Sequence, residues 1–505
     1  MNHRLTLIAA AVLGLGCNAA DAESQGPPTR VDEPAYSFQW VRTILGPCCT
    51  ESGMDLVVDS DGGVLIAGKR GGLDLDRDGS VDIQTFGLSD PLILKTYDDN
   101  VRGWVQGPGG PSWDEARGIA SDRHGGAFAV GDFTDSMRIA GGTILSAGGR
   151  TDGFVARYDQ NGEALWARPV GGPEGDQLFD VASDAAGNVF VIGSVKGAVD
   201  IDRDGTVDVD VAGASAFLLA SFDPDGRLRW ARASGGPATV VGRAIAIGPG
   251  DEIYIGAHYG NGAPDLNGDG TPDVPAAATV DRAAAVTPQS DFNGFYARFD
   301  SSGEMVWVRA ISGPASQAVG SLAVAGNGDV LVLGGFTDSA DLDGDGTADL
   351  EFASMEDRIA EDYAEGNSFL LRIDPDGARI WARRYAAMAA HVVADATRIV
   401  VSGSYSGALD LDDDGVLERG DDEDPQTEGF AAILDGDGRL RHVFTIVGPD
   451  GDVANAAGFS PDGGTLYVTG YTKLGADFDG DGVIEAASAC HQLGDLYLAS
   501  YAVPD

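Results

Sequence analysis

DGFVARYDQNGEALWARPVGG, residues 152–172, carries the pattern that decides the fold. An apolar run, GFVARY, ends in Asp159-Gln160-Asn161-Gly162; a second run built around Trp166 follows and ends in two glycines. Asn and Gly tolerate the positive φ that a tight hairpin needs, so this stretch reads as two antiparallel strands joined by a turn. The same parts return at residues 216–236, AFLLASFDPDGRLRWARASGG, where Asp-Pro-Asp-Gly adds a proline with its φ preset for the turn. Working outward, tryptophan becomes a register mark. It recurs at Trp40, Trp104, Trp166, Trp230, Trp307 and Trp381, and His442 takes the seventh slot.

Between marks the order of parts is constant. A short strand such as GIAS or DVAS leads through a turn to a strand ending in glycine, such as VFVIG, EIYIG or LYVTG. A variable loop then leads into the hairpin described above. Each unit is therefore four antiparallel strands, and evenly spaced short strands with Gly-rich turns indicate an all-β closed array. Six complete units run from Trp40 to His442. Only three strands remain after that, NAAGF, TLYVTG and DLYLASY, and the missing fourth is YSFQWVR around Trp40. Pairing the N-terminal strand with the C-terminal three makes a seventh blade and leaves no half-blade exposed. The reading is a seven-bladed β-propeller of four-stranded antiparallel blades over residues 36–505. The tryptophans are expected to pack between blades, with His442 as a packing substitute.

The units at 152–172 and 216–236 resemble the SBBP-type bacterial β-propeller repeat. The resemblance runs over residues 36–505 and implies a propeller on exported or surface proteins, without implying any one activity. Composition agrees with a folded chain rich in turns: 43% of the 505 residues are apolar and 74 are glycine. With 79 acidic against 33 basic residues, the formal net charge is -46. Such a surface repels nucleic-acid phosphates and anionic lipid, and it favours cations or basic partners.

The chemistry lies in the variable loops. Six of the seven units carry D-x-[DN]-x-D-G-x-x-[DE] between the second and third strands. The candidate ligands are Asp74, Asp76, Asp78 and Asp82; Asp200, Asp202, Asp204 and Asp208; and Asp265, Asn267, Asp269 and Asp273. Three further loops give Asp341, Asp343, Asp345 and Asp349; Asp410, Asp412, Asp414 and Glu418; and Asp477, Asp479, Asp481 and Glu485. Oxygens at positions 1, 3 and 5 converge if the loop curls, glycine at position 6 permits the curl, and the acid at position 9 caps the site. Calcium, a hard ion taking six to eight oxygens, suits this spacing. The loops resemble the first half of an EF-hand, without its helices, and more closely the nine-residue calcium loops of the integrin α-subunit propeller. A solvated acidic turn would explain one copy; six copies at one place in the repeat argue for calcium. The second unit, residues 133–152, lacks the motif, and no metal is expected there. Two loops are lengthened by insertion, at residues 274–294 and 350–368, and long loops on a rigid scaffold are places for binding.

Residues 1–22 read as an export signal: His3 and Arg4, then an apolar stretch from Leu5 to Leu15 too short to span a bilayer. Gly16-Cys17 fits a lipobox with Cys17 as the lipidated residue, although Gly14 stands where that motif usually has leucine. Ala20-Asp21-Ala22 fits an ordinary signal peptidase site. Residues 23–35 form a flexible tether. A disulfide is expected from Cys490 to Cys49 or Cys48, because the closing strands bring the flanking segments together and an oxidising compartment permits the bond. A vicinal Cys48–Cys49 bond or free thiols are the alternatives.

No P-loop, G-x-S-x-G, H-E-x-x-H or C-x-x-C is present, and no two histidines share metal-ligand spacing. No catalytic residue is named. The expected function is a non-enzymatic binding, scaffold or adhesion module of the cell envelope, membrane-bound only through its lipid anchor. It is expected to be a monomer, with an unidentified protein or glycan partner. The alternative is a hydrolase or lyase at the channel mouth, which would require clustered His, Arg and Asp there; the sequence singles out no such set.

Overall fold

The structure, a computed structural model, describes residues 36–44, 51–74, 80–98, 102–275, 292–351, 367–407, 409–412, 418–419, 426–486 and 494–504. Among them the chain forms seven four-stranded antiparallel sheets and one two-residue hairpin, Ser339–Ala340 with Leu350–Glu351. In six sheets the strands lie side by side in chain order, as with Ser52–Val58, Val64–Arg70, Asp90–Thr96 and Arg102–Gln106 in the first blade. The seventh consists of Val453–Phe459, Thr465–Thr472 and Asp495–Ala502, completed by Ser37–Ile44. That strand pairs antiparallel from Ser37↔Ala502 to Ile44↔Leu496. The seven-bladed propeller and its closure by the N-terminal strand stand as read from the sequence.

The first strand of each blade faces a central channel and touches its counterparts in the blades on either side. The last meets the first: Asn455 Nδ2 donates to the Gly53 carbonyl at 2.7 Å and to Ser52 Oγ at 3.3 Å. Second and third strands are buried on both faces, which is why they read as continuous apolar runs. In the third blade, Val191 and Leu218 pack with Phe128 and Val155 of the second blade. Their neighbours Ile192 and Leu219 pack with Ile255 and Phe295 of the fourth. A slip of one residue would exchange the two cores, so the register is strongly fixed.

The tryptophans lock the outer strands. Trp166 lies under the turn between the third and fourth strands of the next blade, with its Nε1 donating to the Pro224 carbonyl at 2.9 Å. Trp230 and Trp381 repeat this with the Ser301 and Gly436 carbonyls. The glycine of that turn is required twice over: Gly226 has φ +76°, and a Cβ there would lie 2.5 Å from the Trp166 ring. Where His442 replaces tryptophan, Tyr36 stacks on it with ring centres 4.5 Å apart. Gly226→Ala is expected to cost more than the roughly 1–2 kcal/mol of a left-handed residue alone, measured by urea denaturation. In a Trp166→Ala background that cost should fall; equal costs in both backgrounds would remove the steric explanation.

Buried acids make a second set of ties. At the start of a blade, one N–H donates to a carbonyl at the entry to the third strand of the preceding blade or within it: Asp114 to Ser89, Asp176 to Thr151, Gln317 to Phe292 and Asp452 to Thr427, all at 2.7–2.9 Å. This brings Asp114 beside Asp90, Asp176 beside Asp152, and Asp452 beside Glu428, while one junction carries Gln317 and Asn293 instead. Burial first, then the neighbouring acid's charge, pushes Asp114 up to about 7, Asp176 to about 6 and Asp452 to about 8. The other charges facing these pairs are Arg70 (3.7 Å from Asp90), Arg203 (3.4 Å from Asp152), Asp132, Glu174 and Asp450.

A carboxyl whose pKa is raised on folding binds its proton more tightly in the native state. Its contribution to stability is complete below about pH 4, the unfolded value. It falls as pH rises and is exhausted above the folded values of about 6 to 8. At saturating calcium the protein should therefore melt higher at pH 5 than at pH 8. Asp114→Asn, Asp176→Asn and Asp452→Asn together, which copy the amide junction, should flatten that profile. An undiminished pH dependence in the triple variant would refute the assignment.

Candidate functional site

The acidic loops share one local structure. In each of the six, the N–H of position 9 donates to the carbonyl just before position 1, as Asp82 does to Leu73 and Asp349 to Ala340. Where described, position 1 is clasped from inside the loop: Asp477 accepts from Gly480 N (2.7 Å) and Gly482 N (2.8 Å). Asp341 accepts from Gly344 and Gly346, and Asp265 from Gly268 and Gly270, in the same way. The acid at position 9 turns back to the N–H of position 2, as Asp208 does to Ile201, Asp273 to Leu266, Asp349 to Leu342 and Glu485 to Phe478, at 2.7–2.8 Å. The expected curl is thus held by backbone donors, with position 1 buried in Asp265, Asp341 and Asp477 and half-buried in Asp74, Asp200 and Asp410.

This clasp gathers oxygens. Asp477, Asp479, Asp481 and Glu485 each place a carboxylate oxygen within 4.8 Å of the others. Asp200, Asp202 and Asp208 do so as well, as do Asp341, Asp343 and Asp349, and Asp410, Asp412 and Glu418. The position-5 acids Asp204 and Asp345 stand outside their clusters; like Asp481, which joins its own, they accept from the N–H of position 7. In the 265–273 loop, the Asn267 amide donates to Asp273 at 3.2 Å, and Asp269 accepts from Thr271 N. Arg379 bonds Asp349 and lies 3.5 Å from Asp343, a built-in counter-ion on that loop. Burial, and then the neighbouring carboxylates, raise Asp208, Asp273, Glu418 and Glu485 above the ordinary acid range. A set of three or four converging hard oxygens fits a divalent cation of the calcium type.

Asp76, Asp78 and Asp414 lie outside the described residues, as do Cys17, Cys48, Cys49, Cys490, the export signal and most of both insertions. In the second blade the corresponding segment is a hairpin extension. Ala127–Arg138 and Ile144–Tyr158 stay paired out to Arg138↔Ile144, with one 3-10 turn at Ala140–Gly142.

The channel holds the charged set that the sequence did not single out. All seven innermost strands carry a β-bulge midway, as between Gly53 and Asp55 or Leu178 and Asp180. The bulged residues, Arg117, Phe179, Arg243 and Asn455 among them, line a cavity of about 340 Å³. The next position supplies Asp55, Asp180 and His391. Asp55 accepts from Leu56 N and, across the blade junction, from Ile119 N, both at 2.8 Å. Asp180 accepts likewise from Val181 N and Ile245 N. His391 Nδ1 accepts from Ala457 N at 3.4 Å, and its Nε2 lies 3.9 Å from Asp55. Burial raises Asp180 well above the usual range, and Asp55 adds to the effect. A sequence signal existed: Asp180 heads the DVAS run inside the strand Gln177–Ser183, where its apolar neighbours hid it.

No family model matches the sequence, and no curated protein does. The chain is similar to solved structures at low identity. One is a protein of unknown function from Dyadobacter fermentans, at 10% identity over 93% of this chain and 100% of that one, with a TM-score of 0.41. BamB from Moraxella catarrhalis matches at 12% over 93% and 100%, with a TM-score of 0.38. Hydrazine synthase of Kuenenia stuttgartiensis matches at 11% over 88% and 96%, with a TM-score of 0.39. At these identities the similarity concerns the fold alone.

Proposed function

We propose that the protein is an exported calcium-binding propeller, of the SBBP type its repeat resembles, that serves as a non-enzymatic binding or scaffold module of the cell envelope. The observation that carries the reading is the repeated clasp. Backbone N–H groups fix position 1 and position 9 in loop after loop, so the acids are presented as sets. Cys17 is the proposed lipid attachment point, and Cys490 with Cys49 or Cys48 the proposed cross-link. Calcium counted by mass spectrometry under native conditions should saturate near six, one for each acidic loop. A count of seven would place a site in the second blade, and a count near zero would end the calcium reading.

The His, Arg and Asp set in the channel favours the alternative, a hydrolase or lyase. Against it stands the use already made of these groups. Both oxygens of Asp55 and of Asp180 receive a backbone N–H, one from their own strand and one from the next blade. Ser321 Oγ accepts from Val392 N in the same manner. These contacts lace blades together, so binding remains the better reading of the channel.

A further inference from the structure

Two charged layers stack inside the channel, Arg117 and Arg243 in one, and Asp55, Asp180 and His391 in the next. Arg117 and Arg243 both lie over the ring of Phe179, at 5.2 and 4.3 Å from its centre. Arg117 is neutralised by Glu115 and Asp132. Arg243 forms no ion pair among the described residues, in a chain of net charge -46. One position further along the strands, Asp55 and Asp180 act on one another electrostatically, and among the described residues no cation lies within ion-pair distance of Asp180. Each layer keeps an uncompensated group: Arg243 beside a second guanidinium, and Asp180 enclosed with Asp55, whose nearest cationic partner is His391 at 3.9 Å.

Together they are complementary to a molecule bearing both charges. A carboxylate at Arg243 would relieve the first layer. An ammonium group one layer deeper would hydrogen-bond the lone pairs of Asp55 and Asp180 left free by the backbone donors. Next come Val57, Ala323 and Val393, an apolar wall able to receive an aliphatic side chain. A cavity of about 340 Å³ has room for such a ligand, since small-molecule pockets run from about 300 to 1,000 Å³. We propose that the central channel binds a small zwitterion of the α-amino acid class, with its carboxylate on Arg243 and its ammonium on Asp55 and Asp180. The site does not depend on the loops holding calcium.

Titration calorimetry at pH 7 on the full mature chain, in saturating calcium, tests this with three probes. Leucine carries both charges, N-acetyl-leucine only the carboxylate, and leucine amide only the ammonium. Leucine should bind one per chain, at least tenfold tighter than either derivative. Arg243→Gln should weaken it at least tenfold without lowering the melting temperature of the free protein, and Arg243→Lys should restore part of the loss. No binding of leucine, equal binding of either derivative, or an unchanged affinity in Arg243→Gln would overturn the proposal. Should Arg243→Gln fail to fold, Arg243→Lys and the two derivatives still decide it.

Discussion

In EDTA the protein is expected to melt on the order of 10 °C below its midpoint in millimolar calcium. Extracellular calcium modules commonly bind at about 10⁻⁴–10⁻³ M. At ten times the dissociation constant, each site adds roughly 1.4 kcal/mol to the native state. Several such sites approach the ~5–15 kcal/mol by which a whole domain is usually stable, and ~1 kcal/mol moves the midpoint of a large domain by no more than a few degrees. The physical source is visible in the loops. Without a cation, Asp477, Asp479, Asp481 and Glu485 crowd their oxygens within 4.8 Å, and the backbone N–H groups they accept from offset the repulsion in part. Asp477→Asn should abolish calcium binding at that loop and leave the other sites intact. Equal midpoints in calcium and EDTA would show that the loops are solvated turns.

Removal of residues 1–44 is the second large effect. Ser37–Ile44 is the outermost strand of the seventh blade, and its side chains serve two cores. Tyr36, Phe38 and Val41 pack against the core shared with the sixth blade, and Trp40 and Ile44 against the one shared with the first. Arg42 and Trp40 also bond Tyr97 and Asp98 of the first blade. Full burial of such side chains is worth about 1.5–3 kcal/mol each, and these are partly buried, so roughly 5 kcal/mol is lost. The truncated chain should melt far lower and aggregate through the bared edge of Asp495–Ala502. A peptide spanning residues 36–44 added in trans should recover much of the loss by strand addition. Unchanged stability on truncation would contradict the pairing.

The fold was legible because its signals are local and repeated: a Gly-bearing turn, the tryptophan before it, and a count of strands left over at each end. The acidic loops were legible for the same reason, since their ligands lie within nine residues of one another. The channel and the junction acids were not. Arg117, Phe179 and Arg243 come together only because a bulge turns each innermost strand at the same place, and a bulge has no residue signature of its own here. Asp114 and Asp90 are 24 positions apart and meet across a blade boundary, where the sequence shows two unremarkable acids at strand starts.

Closure by the first strand also sets an order of events. Gln39 and Ser500, hydrogen-bonded at 2.8 Å, are 461 positions apart. At about 5–20 residues per second of synthesis, the partner of Ser37–Ile44 appears some 20–90 s after the strand itself. Six blades can stack in that interval, each on its predecessor, while SFQWVRTI waits with both edges unpaired. Its mate on a neighbouring nascent chain is as complementary as its own. Crowded synthesis therefore favours exchange of this strand between copies, and such an exchange, being head-to-tail, propagates along a string of molecules as readily as it closes a pair.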